Sequence, residues 1–444
     1  MTDVPIAQAL AVLADRDPER VAVRCGDDVL TRAELVRRGR AVAAAWRADG
    51  VADDDAVAIC LPNGVDLVVA CVAAWTAGAV PFVLARDLPA GERDALLAEA
   101  APALVVDGAL AEGSAEVEDR PPASSWKLST SSGTTGTPKL LPAPASAVVD
   151  PDVPAASFLP RDAVQLVSGP LCHAAPFTYA MRGLMTGHEL VVLPRFDAGE
   201  ALAAIERHRV TWAMLVPTTM QRIWRHPRRA TTDVSSLEAV LHLGARCPET
   251  LKRDWIAWLG PDRVVEVYTG TEAPGLTMID GHEWLEHPGS VGRPMPGSQC
   301  RVVDDSGRVL PAGRVGRLEL SRDGRDGWHS LGDLGRMDAD GFVWVVDRAD
   351  DVIVTGAAKV HPADVEAVLD SHPAVRSSVV VGRQDADLGQ RVHAVVEPDG
   401  PLDLDDLRSW VSDRLQPEQR PRSYELTDRT LRATTGKSRR RDWR

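Results

Sequence analysis

Short apolar runs and amphipathic stretches alternate along the first half of the chain. Residues 57–61 and 104–106 are apolar runs of strand length, the first closed by Pro62-Asn63-Gly64. Residues 189–194 and 212–216 are further buried-strand patterns, and between them 201–208 carries the spacing of an amphipathic helix. Thr31 stands before a helical pattern that starts at Arg32, and Glu34 completes a capping box. Residues 67–85 hold no charge until Arg86, a length that could cross a bilayer. Gly78 and Pro81 divide that stretch, and a helix over 65–77 followed by a strand over 79–84 accounts for it better. Strands alternating with helices predict an α/β domain around a largely parallel sheet.

The pattern then changes. From 301 to 346 short strands and turns follow one another, with strands at 299–303 and 342–346 and a turn at 304–307, which predicts a small β-rich subdomain. After Asp351 the order is strand, turn, helix (363–371), strands (377–381 and 391–396) and helix (404–415), a separate α+β domain. An acidic stretch at 112–119 followed by Pro121-Pro122 reads as a loop, and no internal repeat is present.

Composition narrows the function classes. The 444 residues allow two to four domains, and 26% charged with 44% hydrophobic residues is ordinary for a globular protein. A net charge of −14 argues against broad nucleic-acid binding, though not against ATP, which a local cluster of donors can hold. The six cysteines form no C-x-x-C pair, which fits reduced thiols in the cytoplasm better than a disulfide framework or a zinc site. The first residues include Asp3 and lack a basic start, so no signal peptide is expected.

The chemistry concentrates in four places. Residues 129–139 read Ser-Thr-Ser-Ser-Gly-Thr-Thr-Gly-Thr-Pro-Lys. Gly133 and Gly136 let the backbone turn tightly and aim N–H groups at one anion. Ser131, Ser132, Thr134 and Thr135 add hydroxyl donors, and Lys139 adds a point charge. A flexible linker is the alternative, but linkers rarely end in Thr-Pro-Lys between apolar segments. A Walker A loop would need Gly-Lys followed by Ser or Thr, whereas proline precedes this lysine and Leu140 follows it. The second motif, Tyr268-Thr-Gly-Thr-Glu272, follows an apolar strand at 264–267, at the strand end where α/β proteins bind ligands. A carboxylate beside a triphosphate can coordinate Mg²⁺, and the tyrosine ring can pack on a base. The third is Ser330-Leu-Gly-Asp333, followed by Asp347-Arg348-Ala349-Asp350; a carboxylate facing a ribose diol gives two hydrogen bonds. The fourth, Thr434-Thr-Gly436-Lys437, precedes Arg439, Arg440 and Arg441 and by itself reads as a basic, disordered tail.

Taken in order, these motifs resemble the adenylate-forming superfamily of acyl-CoA synthetases, peptide-synthetase adenylation domains and luciferases. The likeness covers nearly the whole chain and is nearest to bacterial acyl-CoA ligases of the bile-acid-CoA ligase type. It is carried there by Leu193-Pro-Arg-Phe-Asp197, Leu215-Val-Pro-Thr218, the stretch 284–294 and the stretch 387–395.

The resemblance implies a large N-terminal α/β domain of stacked sheets with helices (1–347), which includes the small β-rich subdomain. A hinge at 348–350 and a small mobile α+β domain (351–444) would follow. By the same resemblance, loop 131–139 holds the leaving phosphates, Thr271 contacts the α-phosphate and Glu272 binds Mg²⁺. Asp333 takes the ribose, Arg348 contacts the nucleotide, and Gly244, Ala245 and Arg246 line the adenine pocket. His173, in Pro170-Leu-Cys-His173, flanks the acyl group together with Gly270. Asp350 is the hinge, Gly356 lies in the loop that receives the acceptor, and Lys437 bridges the carboxylate and ATP.

The implied reaction uses ATP and Mg²⁺ to turn a small-molecule carboxylic acid into an acyl-adenylate, which coenzyme A then attacks. The chain departs from the family's pattern in places. Thr269 replaces a usual glycine, Gly356-Ala357 replaces Gly-Gly, and the chain is trimmed between 320 and 328 and after Lys139. These departures keep a second reading open, in which a carrier-protein thiol or an amine replaces coenzyme A, or nitrite is the acid activated, for diazotisation. A nucleotide sensor or an interaction protein would not need Glu272 and Lys437. A homodimer is compatible with the resemblance; neither nucleic acid nor a membrane span is expected.

Overall fold

The capping box forms as the sequence dictates. In the computed structural model, Thr31 Oγ1 accepts the Glu34 N–H at 3.2 Å and the Glu34 carboxylate accepts the Thr31 N–H at 2.8 Å, opening the helix Arg32–Ala48. Such a cap contributes about 1 kcal/mol. The structure describes residues 3–114, 118–130, 139–270, 274–323, 327–356, 358–385, 387–432 and 440–443. The chain divides into two compact units, one of residues 1–215 and 219–242 and the other of 216–218 and 243–444.

Among the described residues, the first unit has two larger sheets besides the two-stranded pair of Val4–Pro5 with Val148–Val149. In one, strands Ala239–His242, Trp212–Leu215, Val164–Val167, Glu189–Val192 and Val21–Cys25 run parallel in that order, and Asp28–Thr31 closes the edge antiparallel. In the other, Leu104–Val106, Ala56–Ile59, Val80–Val83 and Leu128–Thr130 are parallel, and Leu140–Pro142 pairs antiparallel with the last. The largely parallel α/β arrangement is therefore as the alternation predicts. The ambiguous apolar stretch is a helix, Val65–Thr76, and a strand, Val80–Val83. Both lie in the interior: Leu67, Val68, Val69, Cys71 and Ala73 are almost wholly buried with Val57 and Ile59 of one sheet and Val23 and Leu190 of the other. Among the described residues no helix is long and apolar enough to cross a membrane.

In the second unit, Val264–Thr269 pairs antiparallel with Leu276–Asp280, and that strand with Arg293–Pro294. The predicted β-rich segment is a four-stranded antiparallel meander of Ser298–Val303, Gly316–Arg322, His329–Met337 and Val343–Arg348. The remaining sheet contains Ile353–Thr355, Ala358–Val360, Val375–Asp385, Gly389–Pro398 and Ser423–Leu426. Helices Pro362–Asp370 and Leu404–Ser412 bury Val365, Leu369, Leu407 and Val411 against it. Gly292, in the stretch that carries the family resemblance, has φ +87°, and a Cβ there would strike the Met278 carbonyl oxygen. Only glycine fits this turn.

Candidate functional site: a tyrosine–carboxylate–arginine cluster

In the second unit, Tyr268, Asp333 and Arg348 come together. Asp333 and Arg348 face each other across the strands His329–Met337 and Val343–Arg348, next to a register shift at Leu334/Gly335. Their side chains approach to 3.6 Å. The Tyr268 hydroxyl donates to Asp333 Oδ2 at 2.7 Å. Asp333 is 8% exposed. Burial, and then the neighbouring Asp333 carboxylate, push the Tyr268 phenol well above its ordinary range, so it stays a neutral donor. Gly332 adopts φ +81°, and a Cβ there would lie 3.2 Å from an Arg348 nitrogen; the turn brings the backbone close under the guanidinium.

The sequence places Tyr268 beyond the strand, but the strand is longer than expected, and both Tyr268 and Thr269 belong to Val264–Thr269. The ring packs against the cluster of Val302, Leu318 and Val343. The strand is held from behind by a pair that the motifs do not reveal. Lys252, fully buried on helix Glu249–Leu259, donates to Glu266 Oε2 at 2.5 Å and stands 5.0 Å from the centre of the Trp284 ring. A glutamate at a buried position of an apolar strand was the available signal; its partner, fourteen residues earlier, lies in another element.

Gly244 takes φ +90° in the loop after the strand Ala239–His242, and Arg246 donates to Asp364 Oδ1 at 2.8 Å. Its guanidinium is thus directed to the first turn of helix Pro362–Asp370. Ala245 lies between them, half-buried, and Gly270 lies just past the Tyr268 strand. Asp350 is exposed in the single turn Ala349–Asp351. Gly356 turns the hairpin of Ile353–Thr355 and Ala358–Val360 at φ +59°, and its N–H donates to the Leu388 carbonyl at 2.8 Å.

In the first unit, loop 131–139 connects the antiparallel strands Leu128–Thr130 and Leu140–Pro142, whose register pairs Thr130 with Leu140. Lys139 is exposed immediately before the second strand. His173 is the N-cap residue of helix Ala174–Met185. That helix is tied to the residues leading into the loop: Phe177 stacks on Trp126 at 5.8 Å, and Lys127 Nζ donates to Thr178 Oγ1 at 2.7 Å. Lys127 is buried. Burial, and then Arg182 nearby, bring its ammonium down to about 7. No motif flags this lysine.

Ser131, Ser132, Gly133, Thr134, Thr135 and Gly136 lie outside the described residues, as do Thr271, Glu272 and Lys437. Among the described residues no group of three or more His, Cys, Asp or Glu side chains could hold a metal ion. Burial raises all six thiols above their ordinary value, so none is poised as a nucleophile.

A tyrosine–carboxylate–arginine cluster with a buried carboxylate and a part-exposed guanidinium would suit many ligands, and comparison with known proteins narrows the choice. The model of the AMP-binding enzyme family matches residues 10–130 and 116–324, and that of the AMP-binding enzyme C-terminal domain matches 364–437. The chain is 33% identical over 478 residues to a feruloyl-CoA synthase of Amycolatopsis sp, covering 96% of this chain and 95% of that one. Amide bond synthetase McbA from Marinactinospora thermotolerans superposes with TM-score 0.82 at 26% identity, over 99% of this chain and 100% of that one. The o-succinylbenzoate CoA synthetase MenE from Bacillus subtilis, in complex with its acyl-adenylate intermediate, gives 0.83 at 25% identity over 100% and 98%. The chain belongs to the AMP-binding enzymes of the adenylate-forming superfamily.

Proposed function

We propose that the protein is an AMP-forming acid–CoA ligase. The carboxylate of a small acid attacks the α-phosphorus of ATP, the acyl-adenylate forms and pyrophosphate leaves. The sulfur of coenzyme A then attacks the acyl carbon, a thioester forms and AMP leaves. The observation that carries the reading is the buried Asp333 carboxylate, held by Tyr268 and beside Arg348, in a chain that family models match on both sides of it.

Asp333 has the chemistry to receive a ribose diol, and Arg348 supplies a charge for the nucleotide. Loop 131–139 with Lys139 is assigned to the leaving phosphates, Thr271 to the α-phosphate, and Gly244, Ala245 and Arg246 to the adenine. His173 and Gly270 are assigned to the acyl group, and Glu272 to Mg²⁺. Two anions must meet in the first step, so compensating their charge is the main barrier, and Lys437 is assigned to that task. The portion from 351 onward is proposed to turn about Asp350, withdrawing Lys437 and presenting Gly356 for the second step. Six free thiols, each pushed upward by burial, suit a cytoplasmic setting.

A second reading keeps the first step and replaces coenzyme A by an amine or a carrier-protein thiol. It is favoured by the Gly356-Ala357 loop and by the likeness to an amide bond synthetase. ATP–pyrophosphate exchange with ferulate, 2-succinylbenzoate, indoleacetate, fatty acids and nitrite separates the readings. Exchange followed by thioester formation is expected. Exchange without thioester would favour the second reading, and no exchange with any substrate would overturn both.

A further inference from the structure

The basic run near the C-terminus is not a solvated tail throughout. Arg440 is 14% exposed at its side chain, and its guanidinium makes a fork with Glu366: Nη2 donates to Oε1 at 2.8 Å and to Oε2 at 2.9 Å, and Nε donates to Oε1 at 3.2 Å. Its Nη1 donates to Asp351 Oδ2 at 2.6 Å, one residue past the assigned hinge. The same Glu366, only 6% exposed at its side chain, accepts from Arg432 Nη2 at 3.0 Å and from the Val380 N–H at 2.9 Å. Arg432 also donates to Ser377 Oγ at 3.2 Å and to the Ser378 carbonyl at 3.1 Å. The flanks are packed as well: Leu431 and Trp443 are buried together with Val379, Val381 and Val395.

Arg432 and Arg440 bracket a seven-residue stretch that includes Lys437. The chain leaves Glu366 at one arginine and returns to it at the other. We infer that Glu366 is a positioning residue for Lys437: one buried carboxylate on helix Pro362–Asp370 fixes both chain segments that flank the lysine. This rests on the assignment of Lys437 to adenylation. A lysine side chain is a flexible stem with a point charge, so its backbone must be fixed elsewhere if it is to meet two anions in register. A bidentate arginine–carboxylate fork supplies a defined geometry that a single point contact does not. The two arginines also compensate a carboxylate charge that burial would otherwise make costly.

The test uses the full-length protein and measures each half-reaction separately. Arg440→Met leaves Glu366 with Arg432 and the Val380 N–H, so the fold is expected to persist; a thermal melt checks it. Pyrophosphate exchange should fall about 100-fold, the scale of a misplaced catalytic group. Thioester formation from supplied acyl-adenylate should stay within about twofold of the parent. Arg440→Lys should recover part of the loss, and Glu366→Gln should reproduce it. In a Lys437→Ala background, Arg440→Met should cause no further loss, because both act through one side chain. If Lys437→Ala stops exchange but Arg440→Met leaves it intact, the inference fails and the Lys437 assignment survives. Equal loss of both half-reactions in a folded Arg440→Met protein would also overturn it. Unchanged exchange in Lys437→Ala would remove the assignment and the inference together.

Discussion

Replacing Asp333 by asparagine keeps the shape of the side chain and removes its charge. Tyr268 can still donate to the remaining oxygen, from which it now stands 2.7 Å. Arg348 is 42% exposed at its side chain, so it stays hydrated and its loss of a partner at 3.6 Å costs the fold little. The effect should therefore fall on the nucleotide. A hydroxyl donating to a carboxylate contributes about 1.5–3 kcal/mol, and to a neutral acceptor about 0.5–1.5 kcal/mol. For a diol making two such bonds the difference is about 1–3 kcal/mol, or roughly 5- to 150-fold in affinity. Pyrophosphate exchange at saturating acid, with ATP varied, should show KM for ATP rising within that range while KM for the acid stays constant. An unchanged KM for ATP, or an equal rise for the acid, would refute the ribose assignment.

Other predictions address what supports the site. Lys252→Met removes the cationic partner of buried Glu266 and should destabilise the protein by about 3–5 kcal/mol in denaturant melts; adding Glu266→Leu should recover much of that loss. Gly292→Ala forces a side chain into a left-handed turn against the Met278 carbonyl, and should lower stability by more than about 1 kcal/mol by the same measure. Lys127 releases its proton at about pH 7 when folded, whereas the unfolded chain holds it to about pH 10.4. Between those values the unfolded state binds more protons, so this group's penalty is full below pH 7 and fades as pH rises. Lys127→Met should thus stabilise the protein most at pH 6 to 7, with a difference from the parent that shrinks toward pH 10 in pH-resolved melts.

The local signals were legible because they are local. Thr31 and Glu34 sit three apart and cap one helix, and Gly78 separates a buried helix from a buried strand. Gly-Asp333 and Arg348 were identifiable by family resemblance, and cross-strand pairing joins them. What could not be read depends on distance along the chain. The Tyr268 hydroxyl reaches a carboxylate 65 residues away. Lys127 has no charged neighbour in sequence to hint at its burial, since Trp126, Phe177 and Thr178 create its surroundings. Arg440 reads as one more residue of a basic run, and its partners Glu366 and Asp351 lie 74 and 89 residues earlier.

The buried helix Val65–Thr76 also bears on how the protein is made. It is among the most apolar segments of the chain, yet the core cluster that buries it includes Leu190 and Val192 of strand Glu189–Val192, which is synthesised more than a hundred residues later. At ordinary ribosomal speeds that is a wait of about 6–20 s. During that time the helix has no finished sheet on one side and presents chaperones with an apolar surface. Ribosome-bound chains stalled before residue 189 should expose it to protease, and chains stalled well past 242 should protect it.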